Sequence, residues 1–466
     1  MTSITEQSQG GFRLDMLWTD ARYRSSFLQI VAFLLLMLAV GWLVSNAIAN
    51  LAALGKDFNF SFLGTTASYD INQKLISYSS TSLHWEAAVV GMLNTLLVAF
   101  MGCIACTVIG VIAGVLRLSK NWVVSKLMLV YIEAVRNVPL LVQILLWYSI
   151  FIESLPAPKQ FRENVPEGER ATLWFDMIAA TNRGFYVPRP VFEAGSMVML
   201  IVFVVSVLAL FLFNGIRAKY QERSGNEIPN ALHLFGQAFA IVFGLGVIWL
   251  LLPSFDQGAF GIIWKLVVGV AIGAGLGFAL YSMSTLSVRV AILVLPLVIA
   301  YYVMGQPVSW LYPELKGFNF TSGEDASIHA RNSLMALWLA LSIYTGAFVA
   351  EIVRGGIQAI PKGQSEAAGA LGLRPGRIMS LVILPQALRV IIPPQISQYL
   401  NLTKNSSLAI AVGYMDVTGT LGGITLNQTG REMECLLLLM AFYLTISLSI
   451  SAVINWFNER IKLKER

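Results

Sequence analysis

The sequence predicts an all-α protein, a polytopic transmembrane helical bundle of about ten spans. Three observations carry that prediction. Of 466 residues, 56% are hydrophobic and 12% charged, whereas a soluble domain carries roughly 25% charged residues. Apolar runs of bilayer length, about 20 residues, recur along the whole chain. Glycine is abundant, 38 in all, and small residues let helices approach closely in lipid. The runs fall at 27–50, 88–116, 128–154, 193–215, 233–253, 260–282, 288–305, 330–353, 390–412 and 433–457.

The first run ends in Ser45-Asn46-Ala47-Ile48-Ala49-Asn50, a small-residue pattern similar to a cleavage site. The polar stretch 1–26 before it is long for the leader of a signal peptide, so it reads as an uncleaved first helix. The second run carries Cys103 and Cys106, with neither a second cysteine pair nor a histidine to complete a zinc site. They read as small buried residues. In the third, Glu133 and Arg136 stand three apart on one helix face. Runs four to seven are the greasiest; the sixth places Gly269, Gly273 and Gly277 four apart, a pattern for close helix contact. The eighth holds Ser342, Tyr344 and Thr345 mid-way and Glu351 and Arg354 near its end. The ninth contains Gln395, Gln398, Asn401, Lys404 and Asn405, so it cannot face lipid all round.

The net charge is +6. In a polytopic chain, basic loops orient helices rather than bind nucleic acid, and no nucleic-acid partner is expected. With the N-terminus inside, Lys and Arg fall roughly two to one in the inner loops, which puts both termini in the cytoplasm. The long stretch 354–389 is then cytoplasmic.

That stretch differs from the rest of the chain. Gly363 to Ala387 reads GQSEAAGALGLRPGRIMSLVILPQA. Pro361 can open a helix over Lys362–Leu371, since a first-turn proline loses no needed hydrogen bond. Gly372 suits the C-terminal cap. Pro375 can start a second helix, and Pro385 is expected to disrupt the segment that follows. The first helix displays Ala367, Ala368, Gly369 and Ala370, whose small side chains allow another surface to approach the backbone. Glu366 is the sole carboxylate between Glu351 and Asp416. Such a helix looks like a docking point; an amphipathic helix resting on the membrane would carry more charge and larger apolar anchors.

Glu366-Ala367-Ala368, then Gly372, then Val382-Ile383-Leu384-Pro385 resembles the EAA loop of ABC importer permeases, with Val382 where isoleucine is usual. Val130–Tyr148, Ala347–Leu373, Leu384–Pro394 and Leu402–Ala409 resemble the polar amino-acid subfamily of those permeases, the histidine/glutamine type. The long interruption at 155–327, with Asn182–Pro190 near its start, resembles the large permease subunit of general L-amino acid transporters. The resemblance implies a five-helix type I ABC importer core, 88–154 and 328–460, with its coupling loop at 356–388. Outside the core lie an N-terminal segment (1–26), an extra span with its periplasmic loop (27–87), and an insert of a periplasmic loop and four more spans (155–327).

It further implies a subunit of the bacterial inner membrane, surrounded by lipid, that takes up amino acids delivered by a periplasmic binding protein. Its partners would be a second, related permease and two ATPase subunits that hold ATP and Mg. Glu366, Ala367, Ala368, Gly372, Leu384 and Pro385 would form the contact to the ATPase. The chain has no nucleotide site of its own: its one Gly-Lys pair, Gly55-Lys56, is followed by Asp57 and preceded by Asn50 where a P-loop needs glycine. No cofactor or metal is expected on this chain, and no paired carboxylates or nucleophile–base set marks it as an enzyme.

An amino acid carries two charges into a medium where unpaired charge is costly. Candidate pathway residues are therefore polar groups at mid-depth: Lys404, Asn405, Ser406, Ser342, Tyr344, Thr345, Gln143 and Asn94. The same groups can instead satisfy one another and exposed backbone. Glu351 with Arg354, and Glu133 with Arg136, can be structural pairs or parts of an inner gate. Trp174, Phe175 and Phe185 can meet a binding protein or pack their loop onto the membrane surface. The alternative class is an ion-coupled secondary transporter working without an ATPase, but neither an internal repeat nor a mid-span acidic cluster supports it.

Overall fold

A computed structural model describes residues 18, 21–53, 58–193, 195–224, 235, 267–272, 285–303, 305, 307–323 and 326–461. The chain divides into two compact units, Met1–Ser154 with Arg331–Arg466, and Leu155–Ala330.

The first unit is helical. Helix α1 (Ala21–Ala53) has its apolar window exposed to the surroundings throughout, as expected of a lipid-facing span. Helix α2 (His84–Arg117) and helix α7 (Asn332–Gln358) form its centre. Glycines set their separation: a Cβ at Gly110 would press on Val349 and sit 2.9 Å from the Gly346 carbonyl, and one at Gly114 would sit 2.6 Å from the Ala350 carbonyl. This is the small-residue contact that holds helices together where water is absent.

The run at 128–154 is not one straight helix. Helix α3 (Trp122–Asn137) and helix α4 (Leu140–Ser154) meet at a bend of 103°. The cause is local. Val138 precedes Pro139 and is held extended, φ −91 and ψ 128, because the proline ring disfavours a helical predecessor. The Gln143 amide donates to the Val135 and Val138 carbonyls at 2.9 and 3.0 Å, replacing bonds that the break removes.

Six helices are long and apolar enough to cross a membrane among the described residues, or seven if the bent pair counts as one span. Of the runs 233–253 and 260–282, only residues 235 and 267–272 are described; Gly273 and Gly277 lie outside the described residues. The ninth span starts earlier than its apolar pattern indicates, running from Pro375 to Val412, and helix α12 (Glu432–Ile461) is the last. Before α2, residues 58–83 pack against its first turns: Tyr69, Ile71 and Tyr78 are buried with Ala87 and Val90, and the Asn59 N–H donates to Glu434.

The second unit pairs helix α5 (Ser196–Ser224) with helix α6 (Thr285–Val303), the latter covering most of the run at 288–305. It also contains short strands that an all-helical reading does not anticipate. Strands β1 (Ala179–Thr181), β2 (Gly184–Val187) and β7 (Ile328–Ala330) form one antiparallel sheet. Strands β3 (Arg189–Phe192) and β4 (Val308–Leu311) form a second, and β5 (Leu315–Lys316) with β6 (Asn319–Phe320) a third. Residues 155–192 and 307–330 thus fold together around Ala179, Tyr186 and Phe320.

Candidate functional site

The helix expected over the small-residue stretch is present as α8 (Lys362–Ala370). Gly372 takes φ +77, a left-handed conformation that glycine adopts without strain. Two bonds close the helix there: the Leu373 N–H donates to the Ala368 carbonyl at 3.2 Å and the Gly372 N–H to the Gly369 carbonyl at 2.9 Å. This is the Schellman arrangement, which turns the chain sharply and satisfies end carbonyls. One face of α8 is anchored, with Ala368 buried. The opposite face, with Glu366, Ala367 and Ala370, is exposed, and Glu366 forms no ion pair among the described residues.

Pro375 opens the short helix α9 (Pro375–Ile378) at its first position. The expected break at Pro385 does not occur. A π turn, Met379–Ile383, leads directly into helix α10 (Leu384–Asn405), which holds Leu384 and Pro385 in its first turn and continues through Pro393 and Pro394. The wider π turn before it accommodates the proline within a continuous helical path.

Along α10, Ser397, Asn401 and Lys404 are exposed at spacings of four and three, on one face. The Lys404 ammonium has no hydrogen-bond or ion-pair partner among the described residues. This polar stripe lies within a span and is uncovered by the chain itself.

The other candidates behave differently. Asn94 is fully buried; its side-chain amide N–H group donates to the Gln73 and Met415 carbonyls at 2.7 and 2.8 Å, and its backbone carbonyl accepts the Tyr414 hydroxyl at 3.1 Å. Gln143 caps the α3–α4 break. Ser342 and Ser406 donate to carbonyls in their own helices. Thr345 is buried, and the Tyr344 ring packs at a tilt against Phe348, 5.1 Å between centroids. Asn405 is half-buried. Glu351 and Arg354 form the expected pair at 2.7 Å, with Gln358 accepting a further bond from Arg354. Glu133 and Arg136 form no pair. The Arg136 guanidinium lies 5.0 Å from the Phe348 ring instead, a cation–π contact that draws it away from Glu133.

Two clusters escape a one-dimensional reading. Thr107 on α2 bonds Tyr399 on α10 at 2.6 Å, and Gln395 donates to both. Gln395 and Tyr399 are four apart on one helix face, a legible signal, but Thr107 is remote in sequence. The second lies in the turn between spans, where Asp416 is fully buried and accepts the Gly419 N–H at 2.8 Å. Burial pushes its carboxyl up to about 7, against the opposing effect of that hydrogen bond. Burial likewise raises the Tyr69 hydroxyl, which bonds Thr425 at 3.0 Å, and Thr425 also meets His84 at 3.1 Å.

Many spans, an exposed capped helix on one rim and an uncovered polar helix face define a membrane-embedded transport subunit. Residues 106–463 match the family described as the binding-protein-dependent transport system inner membrane component, and the chain belongs to it. It is 47% identical to the glutamate/glutamine/aspartate/asparagine transport system permease protein BztB of Rhodobacter capsulatus, over 100% of both chains. It is 38% identical to the general L-amino acid transport system permease protein AapQ of Rhizobium johnstonii, over 96% of this chain and 94% of that one. The putative amino-acid ABC transporter permease protein YhdX of Escherichia coli is 37% identical, over 95% of each.

Proposed function

We propose that this chain is the permease subunit of an ATP-driven importer of amino acids. Its similarity over nearly the full length to three permeases named for amino-acid transport supports the substrate class. The observation that carries the mechanism is α8, a helix of small residues, capped at Gly372, anchored at Ala368 and open on the face bearing Glu366. Such a surface admits the backbone of a partner closely. We assign it as the coupling helix, with Leu384 and Pro385 at the start of the span it drives. The partner is a separate ATPase, present as two subunits, which holds ATP and Mg.

Both termini and α8 lie on the cytoplasmic side. Residues 88–154 and 328–460 form the transport core, and 155–327 is inserted into it. The polar stripe Ser397, Asn401 and Lys404 is covered by a second, related permease and faces the path between the two. Asn405 and Tyr344 border that path. A periplasmic binding protein delivers the amino acid to the side carrying residues 58–83, and the Glu351–Arg354 pair stands near the inner end of the path.

The test is affinity purification from mild detergent of wild type, Glu366→Lys and Gly372→Val. A valine at φ +77 is strained, so both changes spoil α8 while leaving the spans intact. The ATPase and a second permease should accompany wild type, and the variants should lose only the ATPase. Retention of the ATPase by both variants would falsify the assignment.

A further inference from the structure

The motif fixes not only Glu366 and Gly372 but also the distance from Gly372 to Pro385, and the structure gives that distance a physical meaning. The segment between α9 and α10 is a π turn in which the Leu384 N–H bonds the Met379 carbonyl, five residues back. A regular α-helix would bond four residues back. It would also drive the Pro385 ring into the carbonyl of Leu381. A wider turn immediately before the proline avoids that clash. Pro385 brings no N–H to this turn, and the Gln386 side-chain amide donates to the Val382 carbonyl at 2.9 Å.

Beyond this turn α10 is held firmly. Gln395 and Tyr399 are bonded to Thr107 of α2. At Gly356 of α7 the fit is so close that a Cβ would overlap Ile391. On the other side, α8 packs on the π turn itself. The π turn is therefore the joint between a clamped helix and an exposed one, and its register decides how α8 is aimed. One residue of helical register is worth about 100° of rotation and about 1.5 Å of rise.

We propose that Pro385 is a positioning residue: by enforcing the π turn Met379–Ile383 it sets the angle at which α8 meets the ATPase. This rests on the coupling reading of α8. It makes the turn's backbone register, rather than its side chains, the quantity that matters. Leu381, whose side chain is 64% exposed, allows the two to be separated.

The experiment compares wild type, Leu381→Ala and deletion of Leu381 in the complete transporter, with binding-protein-stimulated ATPase activity and co-purification of the second permease as readouts. Leu381→Ala should keep stimulation within about twofold of wild type. The deletion should keep the second permease and lose stimulation by tenfold or more. Equal loss in both variants, or stimulation retained in the deletion, overturns the proposal. Should the deletion lose the second permease as well, Pro385→Ala decides. It removes the clash and restores an N–H, so it should lower stimulation at least threefold with assembly intact; unchanged stimulation overturns the proposal. A wild-type chain that binds no ATPase would instead sink the coupling reading, a separate result.

Discussion

Two sets of polar residues in the helical unit are alike in type and opposite in circumstance. Where the segment 414–425 packs near the start of α2, Asn94, Tyr69, Thr425 and Asp416 are buried and bonded within the chain. Along α10 and on α8, Ser397, Asn401, Lys404 and Glu366 are exposed and leave capacity unused. A polar residue in a membrane protein costs free energy unless something satisfies it. Where the chain supplies the partner, the residue holds the fold. Where it does not, the partner is another molecule. Residue type alone does not separate the two.

The contrast breaks most visibly at Asn94. Asn94→Leu removes the donor to two buried carbonyls, at about 1–3 kcal/mol each, and should lower the melting midpoint in detergent and the amount of folded protein. The matching change on the open face, Asn401→Leu, should leave stability within about 0.5 kcal/mol while reducing uptake. Equal destabilisation by both changes would erase the distinction between the two sets.

A smaller effect sharpens it. Asp416 has a folded-state carboxyl raised to about 7, above its unfolded value near 4. The fold therefore prefers the protonated form. That contribution to stability is full below about pH 4 and is lost as pH rises through about 7. Thermal midpoints should fall between about pH 4 and 7, and Asp416→Asn, which keeps an oxygen for the Gly419 N–H, should flatten the slope. An unchanged slope in that variant would show that other groups set it.

Much of this was legible in the sequence. Bilayer-length runs locate α1, α2, α5, α7 and α12, and glycine with proline mark both ends of α8. The signal failed where a local rule met a compensation elsewhere. Pro385 reads as a breaker because a π turn has no sequence signature of its own. Pro139 leaves the hydrophobicity of its apolar run unbroken, although it bends that run by 103°. Asn94 and Gln143 read as pathway residues because the carbonyls they satisfy are set by the fold. Arg136 reads as Glu133's partner until α7 brings Phe348 beside it. The short strands in 155–192 and 307–330 are hidden by their length of two to four residues and, for β2–β7 and β3–β4, by pairing across more than a hundred positions.

That long-range pairing has a consequence of its own. Strands β3 and β4 bring Arg189 opposite Leu311 and Phe192 opposite Val308, so everything between them leaves and re-enters through a single two-stranded neck. The intervening chain resembles the loop of a stem-loop: its length is free as long as the stem can close. Helices can be gained or shed beyond such a neck without altering the positions of the residues on its near side, which gives evolution a place to enlarge the protein without redesigning it.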